Sequence, residues 1–467
     1  MNTSITRIIL MTMLFALCSA TLMAQEEPKA IDLEPAALSL SEAIEHTFNN
    51  NPEIKAARAE LMATQERFPQ ALAGWKPTVS ADANLTSSEN TASNFGSSSG
   101  STSKDGTLSV DQPLFRGGRT LAETKAAKNI IRSGRALLNV TEQKVLLNAA
   151  IAYVNILRDQ ALRELAQNDF NLLAQQLKAT RDRFEFGELT KTDVSQAEAR
   201  LARAESEIIE TRGNLKTSEA AFLKTVGKQP VKLIRPALDL PIPEDIDSAF
   251  TISETYNPLI ISAESIHEAS KNDVDNVFGE LLPQVGLFGS WNRTYDPQPG
   301  ILSEQTTRTI GIGATIPLYQ AGGTRSRIRA AKNTTNQRYM ETIEAKRQVR
   351  QNITESWENW QTAKSEISSR GAQVKASAIA EEGVKKEAEL GSRTVLDTLD
   401  AQQEHLDARV ALITAQRNEI VAKFQLLEAI GILTPQTLGF DGKTFDYEEH
   451  LNDIKWKIFD TNVDRLE

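Results

Sequence analysis

DQPLFRGGRT, residues 111–120, and TIPLYQAGGTR, residues 315–325, are one junction written twice. Each runs from an alternating apolar segment through a proline and an aromatic to paired glycines, and a long pattern of helical period follows. Pro113 and Pro317 donate no backbone hydrogen bond and belong where a strand ladder stops. Gly117, Gly118, Gly322 and Gly323 supply the unrestricted dihedrals that redirect a chain from strand to helix. By letters the second copy carries one additional residue, Ala321, so the two turns are expected to differ.

The repetition extends outward from these junctions. Pro113 and Pro317 are 204 positions apart, as are Gly187 and Gly391 and again Gly227 and Gly431. LSEAIEHTFNNNPEI from Leu40 returns as ISETYNPLII from Ile252, and WKPTVSADAN from Trp75 returns as LLPQVGLFGS from Leu281. The chain reads as a tandem duplication, with a first copy at 25–234, a Pro-rich linker at 235–250 and a second copy at 251–434. Residues 435–467 lie beyond the repeat and are expected to pack as an equatorial tail.

Within each copy the period switches from helix to strand and back. Val79, Ala81, Ala83 and Leu85 alternate with Ser80, Asp82, Asn84 and Thr86, and Leu108 and Val110 follow a Ser/Gly/Asn-rich stretch read as a loop, 87–105. In the second copy Val285, Leu287 and Trp291 alternate with polar positions, as do Ile310, Ile312, Ala314 and Ile316. The expected strands are about 77–87 and 106–116, then about 283–294 and 306–319. Gly311 and Gly313 are no nucleotide fingerprint, since no helix starts after them at the required spacing.

Between these hairpins lie helical hairpins at about 119–228 and 324–430, each turning at a glycine, Gly187 or Gly391. From Thr120 to Phe184 only Gly134 interrupts the helical pattern, enough chain for one helix about 100 Å long. Leu399, Leu406, Ile413, Ile420 and Leu427 recur every seventh residue beside Ala401, Ala408, Ala415, Ala422 and Ala429. A seam this narrow belongs to a coiled coil.

Composition narrows the function. Residues 1–24 carry Arg7 as their one charge, an apolar run and then small residues, the form of a secretory signal peptide cleaved after Ala20 or Ala24. Its removal takes the net charge from -10 to -11 and leaves no cysteine. An acidic chain without a Lys/Arg block excludes nucleic acid as a partner. The four histidines are scattered, and no nucleophile elbow, metal motif or phosphate loop is present. No enzyme, cofactor or metal is expected.

No later segment is long and apolar enough for a membrane helix, so an exported chain of this kind enters a bilayer through strands. Strands of about nine tilted residues suffice to cross hydrocarbon, but lipid admits only closed barrels, and about eight strands is the smallest closure. Four strands per chain cannot close. Two copies would give eight and three would give twelve, the latter with a lumen. The competing reading is a soluble periplasmic coiled-coil adaptor or scaffold whose strands form an ordinary sandwich.

PLFRGG and PLYQAGG at the junctions, FEFGELTKTDVSQAEARL and LGSRTVLDTLDAQ at the helical turns, and the 204-residue duplication together resemble the TolC family of bacterial outer-membrane efflux proteins. The likeness covers roughly residues 38–434. It implies a mixed α and β membrane fold: a homotrimer with a 12-stranded barrel in the outer membrane of a Gram-negative bacterium, continued through the periplasm by a long α-helical coiled-coil barrel. It implies an exit duct for tripartite efflux or type I protein secretion, joined through a periplasmic adaptor (membrane fusion) protein to an inner-membrane pump or ABC transporter.

The same likeness places a periplasmic constriction on Asp397 and Asp400 and a gate latch on Thr192, Asp193 and Arg393. Asp193 and Gln196 are the first-copy counterparts of the two acids, so the double carboxylate belongs to one hairpin only. One position departs from the pattern: Ala388 stands where the best-known member has a tyrosine, three residues before the glycine, so the closed state is expected to be held differently.

Overall fold

In the computed structural model, which describes residues 37–92, 97–236, 240–298, 302–440, 446–457 and 459–462, both junctions turn through two consecutive left-handed residues. Gly117 and Gly118 have φ of 65° and 80°, and Ala321 and Gly322 have φ of 49° and 79°. The turns are therefore equal in length, which corrects the expectation of an inserted Ala321: Ala321 occupies the place of Gly117. The first turn must use glycine because a Cβ on Gly117 would lie 2.2 Å from the Gly279 carbonyl oxygen. Ala321 is exposed and meets only the backbone cost of its left-handed φ. The expected signal peptide lies outside the described residues.

In chain order the first half comprises α1 (Leu40–Asn50), α2 (Pro52–Gln65), α3 (Arg67–Leu72), β1 (Thr78–Ala92), β2 (Ser97–Arg116), α4 (Arg119–Glu185) and α5 (Lys191–Val226). The second comprises α6 (Ile246–Tyr256), α7 (Pro258–Phe278), β3 (Gln284–Gln298), β4 (Leu302–Thr315), α8 (Gly323–Glu389) and α9 (Val395–Ile430), followed by α10 (Tyr447–Ile454). The long helices α4 and α8 have 67 residues each, and the returning helices α5 and α9 have 36 each. α6 starts inside the segment read as linker, because Asp245 caps it by accepting from the Ser248 backbone N–H at 2.7 Å.

The strands form one antiparallel sheet in the order β1-β2-β3-β4. β1 and β2 stay paired from Thr78↔Asp111 to Ala92↔Ser97, through the stretch read as a loop. Main-chain pairing needs no apolar alternation, and this polar stretch supplies none, so alternation alone ends the expected strands short of their paired length. β4 ends at Thr315, two residues before Pro317. β2 behaves otherwise: its ladder with β1 ends at Asp111, yet its ladder with β3 passes Pro113 and resumes at Phe115↔Val285 after a bulge. Pro113 stops pairing on one side only.

Register sorts the side chains onto two faces. Val79, Val110, Gly289 and Ile310 form one cross-strand row, and Ser80, Ser109, Ser290 and Thr309 form the next, on the opposite face. The polar face bonds across strands: Ser80 Oγ to Ser109 Oγ at 2.6 Å, Asn84 Nδ2 to Asp105 Oδ2 at 2.9 Å, and Asn292 Nδ2 to Thr107 Oγ1 at 2.7 Å. Phe288 interrupts it and lies over Gly311, where a Cβ would meet the ring at 2.7 Å. The apolar face is bare, with Val79 65%, Leu85 70%, Ile310 84% and Ile312 70% exposed.

The helices bury two cores. Tyr153, Leu146, Phe48, Phe222, Phe424 and Leu427 draw α1, α4, α5 and α9 together, and Ile260, Ile353, Trp357, Leu426 and Ile430 join α7, α8 and α9. Each large apolar side chain removed from water contributes about 1.5–3 kcal/mol. The seventh-residue seam of α9 enters these contacts, with Leu399 and Leu427 buried beside Ala408, Ala415 and Ala422. α8 is less covered than its counterpart: it buries seven side chains where α4, of equal length, buries twenty-four. α10, beyond the repeat, packs on the first copy, with Gln65 Nε2 donating to the Tyr447 carbonyl at 2.7 Å and Leu451 against Phe68 and Ile131.

Candidate functional site

The tips of the two helical hairpins are built alike. α4 ends through Phe186 and Gly187, whose N–H donates to the Phe184 carbonyl at 2.9 Å, and α8 ends through Leu390 and Gly391, whose N–H donates to that of Ala388 at 3.0 Å. Gly187 and Gly391 both take a left-handed φ, 79° and 80°. Thr190 then caps α5 and Thr394 caps α9, each within a capping box closed by an acid at the third helical position.

That acid is Asp193 in the first hairpin and Asp397 in the second. Asp193 Oδ2 accepts from the Thr190 hydroxyl at 2.7 Å and from its backbone N–H at 2.8 Å. Asp397 Oδ2 accepts from the Thr394 hydroxyl at 2.8 Å and from its N–H at 2.9 Å. The Thr190 hydroxyl, then its N–H, holds the Asp193 carboxyl below its ordinary range. The Thr394 N–H, then its hydroxyl, does so for Asp397, with Arg393 adding a weaker pull. Both carboxylates stay ionised while serving the cap.

The expected latch residues are not joined to one another within the chain. Arg393 Nε donates to Glu387 Oε2 at 2.9 Å, inside its own turn, and this bond favours its charged form. Asp193 serves its own cap, and Thr192 is exposed in the first turn of α5. Among the described residues, the ion pair that crosses between the hairpins is one turn farther along. Arg200 Nη2 on α5 donates to Asp400 Oδ1 on α9 at 2.5 Å. Leu173, Ala204 and Leu399 pack together beside it and bring α4, α5 and α9 into contact.

Arg200 carries no local mark, because its partner lies 200 positions away. The repeat held the one signal. Asp400 has Gln196 as its counterpart and Arg200 has Glu404, so both members of the pair break the symmetry of the copies. Asp397 and Asp400 thus have unlike surroundings: one is fixed by its cap and the other is paired with a cation.

Comparison with known proteins places this architecture. Residues 43–228 and 254–432 match the outer membrane efflux protein family, and the two matched segments fall on the two copies. The chain is 28% identical over 428 residues to the outer membrane efflux protein BepC of Brucella suis, covering 91% of this chain and 92% of that one. It is 22% identical over 280 residues to the outer membrane protein TolC of Escherichia coli, a match spanning 56% of each. Among solved structures, the outer membrane protein VceC of Vibrio cholerae superposes with a TM-score of 0.72 at 20% identity, covering 84% of this chain and 96% of that one. The fold is that of TolC-like outer-membrane channels, and the setting is the outer membrane of a Gram-negative bacterium. By its sequence over both copies, the chain belongs to the outer membrane efflux protein family.

Proposed function

We propose that three copies of this chain close one twelve-stranded barrel in the outer membrane and continue it as a helical tunnel through the periplasm. The observation that carries this reading is a four-stranded sheet whose edge strands β1 and β4 each pair on one side only among the described residues, with a bare apolar face. Unpaired edges are not tolerated in hydrocarbon, so neighbouring copies must supply the missing partners. Ser80, Ser109, Ser290, Thr309 and their polar neighbours then line a wet lumen, while Val79, Leu85, Ile310 and Ile312 meet lipid. Phe115 and Tyr319, the aromatics of the two junctions, stand exposed where an interfacial belt belongs. The sparsely covered α8 fits the same assembly, since a neighbouring subunit can cover it.

The duct is passive and serves tripartite efflux or type I secretion, with a periplasmic adaptor joining it to an inner-membrane pump or ABC transporter. Its periplasmic end is gated at the hairpin tips. Asp397 and Asp400, repeated three times around a narrow bore, attract cations and repel anions. Thr192, Asp193 and Arg393 form the latch between neighbouring hairpins, and Arg200 with Asp400 bridges the two hairpins of one chain.

Detergent-extracted protein placed in planar bilayers tests the duct directly. Stepwise cation-selective currents and a trimeric mass are expected. A monomer that extracts without detergent and carries no current would replace the duct by the periplasmic adaptor reading.

A further inference from the structure

Below the core that holds Tyr153, three arginines from three separate segments converge on one small cavity. Arg158 comes from α4, Arg417 from α9 and Arg235 from the segment after α5, and the cavity between them measures about 180 Å³. The position of Arg235 is set by its neighbour, since the Ile234 N–H donates to the Tyr153 hydroxyl at 3.0 Å. Among the described residues one carboxylate opposes these three cations, that of Asp159, and both its oxygens are engaged: Oδ1 accepts from Arg158 Nε at 2.7 Å and Oδ2 from Ser218 Oγ at 2.5 Å. Arg417 spends Nε on Asn155 at 2.8 Å and Nη1 on Asn418 at 3.0 Å. Nη2 of Arg417, both terminal nitrogens of Arg158 and the whole guanidinium of Arg235 have no hydrogen-bond partner among the described residues.

Two guanidinium groups held close with one carboxylate between them repel each other. Burial and the charge of Arg158 both work against the charged form of Arg417. Apart from Gln416 of α9 the remaining walls are apolar: Val154, Leu157 and Ala161 from α4, Ile413 and Ile420 from α9, and Pro236. The site thus combines free planar donors with aliphatic surface. Bidentate carboxylates suit guanidinium forks, because two parallel bonds satisfy two donors at once. By volume the cavity has room for about six water-sized groups.

We infer that this cavity binds a small organic anion, a carboxylate carried on a short aliphatic chain. The head bridges Arg417 and Arg235, and the tail lies between Leu157 and Ile420. Bound there, it neutralises the excess positive charge and ties α4 of the first copy to α9 of the second. This site is distinct from the hairpin tips. Inorganic phosphate would satisfy the cations but leave the aliphatic walls wet, and hexan-1-ol would cover the walls but leave the cations unpaired.

The full chain in lipid nanodiscs, with empty nanodiscs subtracted, tests the assignment by saturation-transfer NMR of hexanoate and hexan-1-ol, with inorganic phosphate titrated in as a competitor of the hexanoate signal. Saturable hexanoate binding is expected, at least tenfold tighter than either control. Arg417→Lys, which removes the fork, and Arg235→Gln, an exposed change that leaves the core intact, should each weaken it about tenfold. Should Arg417→Lys fail to fold, Arg235→Gln decides alone. Absence of saturable hexanoate binding, a control probe binding as tightly, or Arg235→Gln binding hexanoate like the parent would overturn the proposal.

Discussion

Arg200 on α5 and Asp400 on α9 are joined by a 2.5 Å hydrogen bond that spans the two hairpins of one chain. Both side chains keep contact with water, 25% and 58% exposed, so the pair is expected to contribute only about 0–1 kcal/mol to stability. Its effect is on charge. With Arg200 in place, the field of Asp400 at the bore is partly cancelled. Arg200→Gln should therefore raise cation selectivity in bilayers, and Asp400→Asn should lower it. The double variant should match the parent, because it removes one charge of each sign. Reversal potentials in a salt gradient give the order of the three. Identical reversal potentials for the two single variants would separate the pair from the conducting path.

Asp397 does two things that ordinary substitution would confuse, closing the cap of α9 and presenting a charge at the tip. Thr394→Val removes the cap hydroxyl and leaves the carboxylate, whereas Asp397→Asn removes the charge and keeps one accepting oxygen. Hydrogen exchange at the first turn of α9 should speed up in both. Selectivity should fall with Asp397→Asn alone. Since the cap holds the Asp397 carboxyl below its ordinary 3.8, its stabilising effect is present above that pH and is lost as pH falls further. The exchange difference between parent and Asp397→Asn should narrow accordingly in acid.

Gly117 and Ala321 make matched opposites. A methyl on Gly117 meets the Gly279 carbonyl and must adopt φ of 65°, so Gly117→Ala is expected to cost about 2–5 kcal/mol. Ala321→Gly relieves the left-handed strain but loosens the unfolded chain, and should stay within about 1 kcal/mol of neutral. Thermal unfolding of the two variants against the parent checks the contrast. Equal shifts would mean that the Gly279 carbonyl does not constrain the first turn.

These turns also show what could be read from the letters and what could not. The doubled glycines, the glycines at the hairpin turns and the long uninterrupted helices are local signals, and duplication strengthened each by repeating it at one spacing. Matching Gly-Gly to Gly-Gly by letter displaced the second turn by one residue, because what repeats is the pair of positive φ values and not the residue type. Strand ends between 87 and 105 were illegible for another reason: a serine-rich segment shows no alternation, while its backbone pairs all the same. Arg200 with Asp400 and the seat of α10 on α2 are contacts between distant segments, and no local pattern marks either.

Asp169 on α4 supplies a pH dependence whose sign can be worked out. Partial burial is the main reason its carboxyl is pushed up from 3.8 to about 6, and the like charges of Glu207 on α5, Glu381 on α8 and Asp407 on α9 add to it, while Arg203 on α5 opposes. Arg203 is itself engaged with Glu207, its Nε donating to Oε1 at 2.9 Å. An acid whose folded-state pKa is raised favours the fold when protonated, so this contribution is complete below about 3.8 and is lost as pH rises through about 6. At neutral pH the ionised Asp169 works against the packing of the four long helices. Asp169→Asn should therefore raise the melting temperature at pH 7.5 and bring little change at pH 4, with the difference growing between those limits. Melting curves of parent and variant across this range settle the sign. A stabilisation equally large at pH 4 would show that the gain comes from the amide's new hydrogen bonds and not from relief of charge.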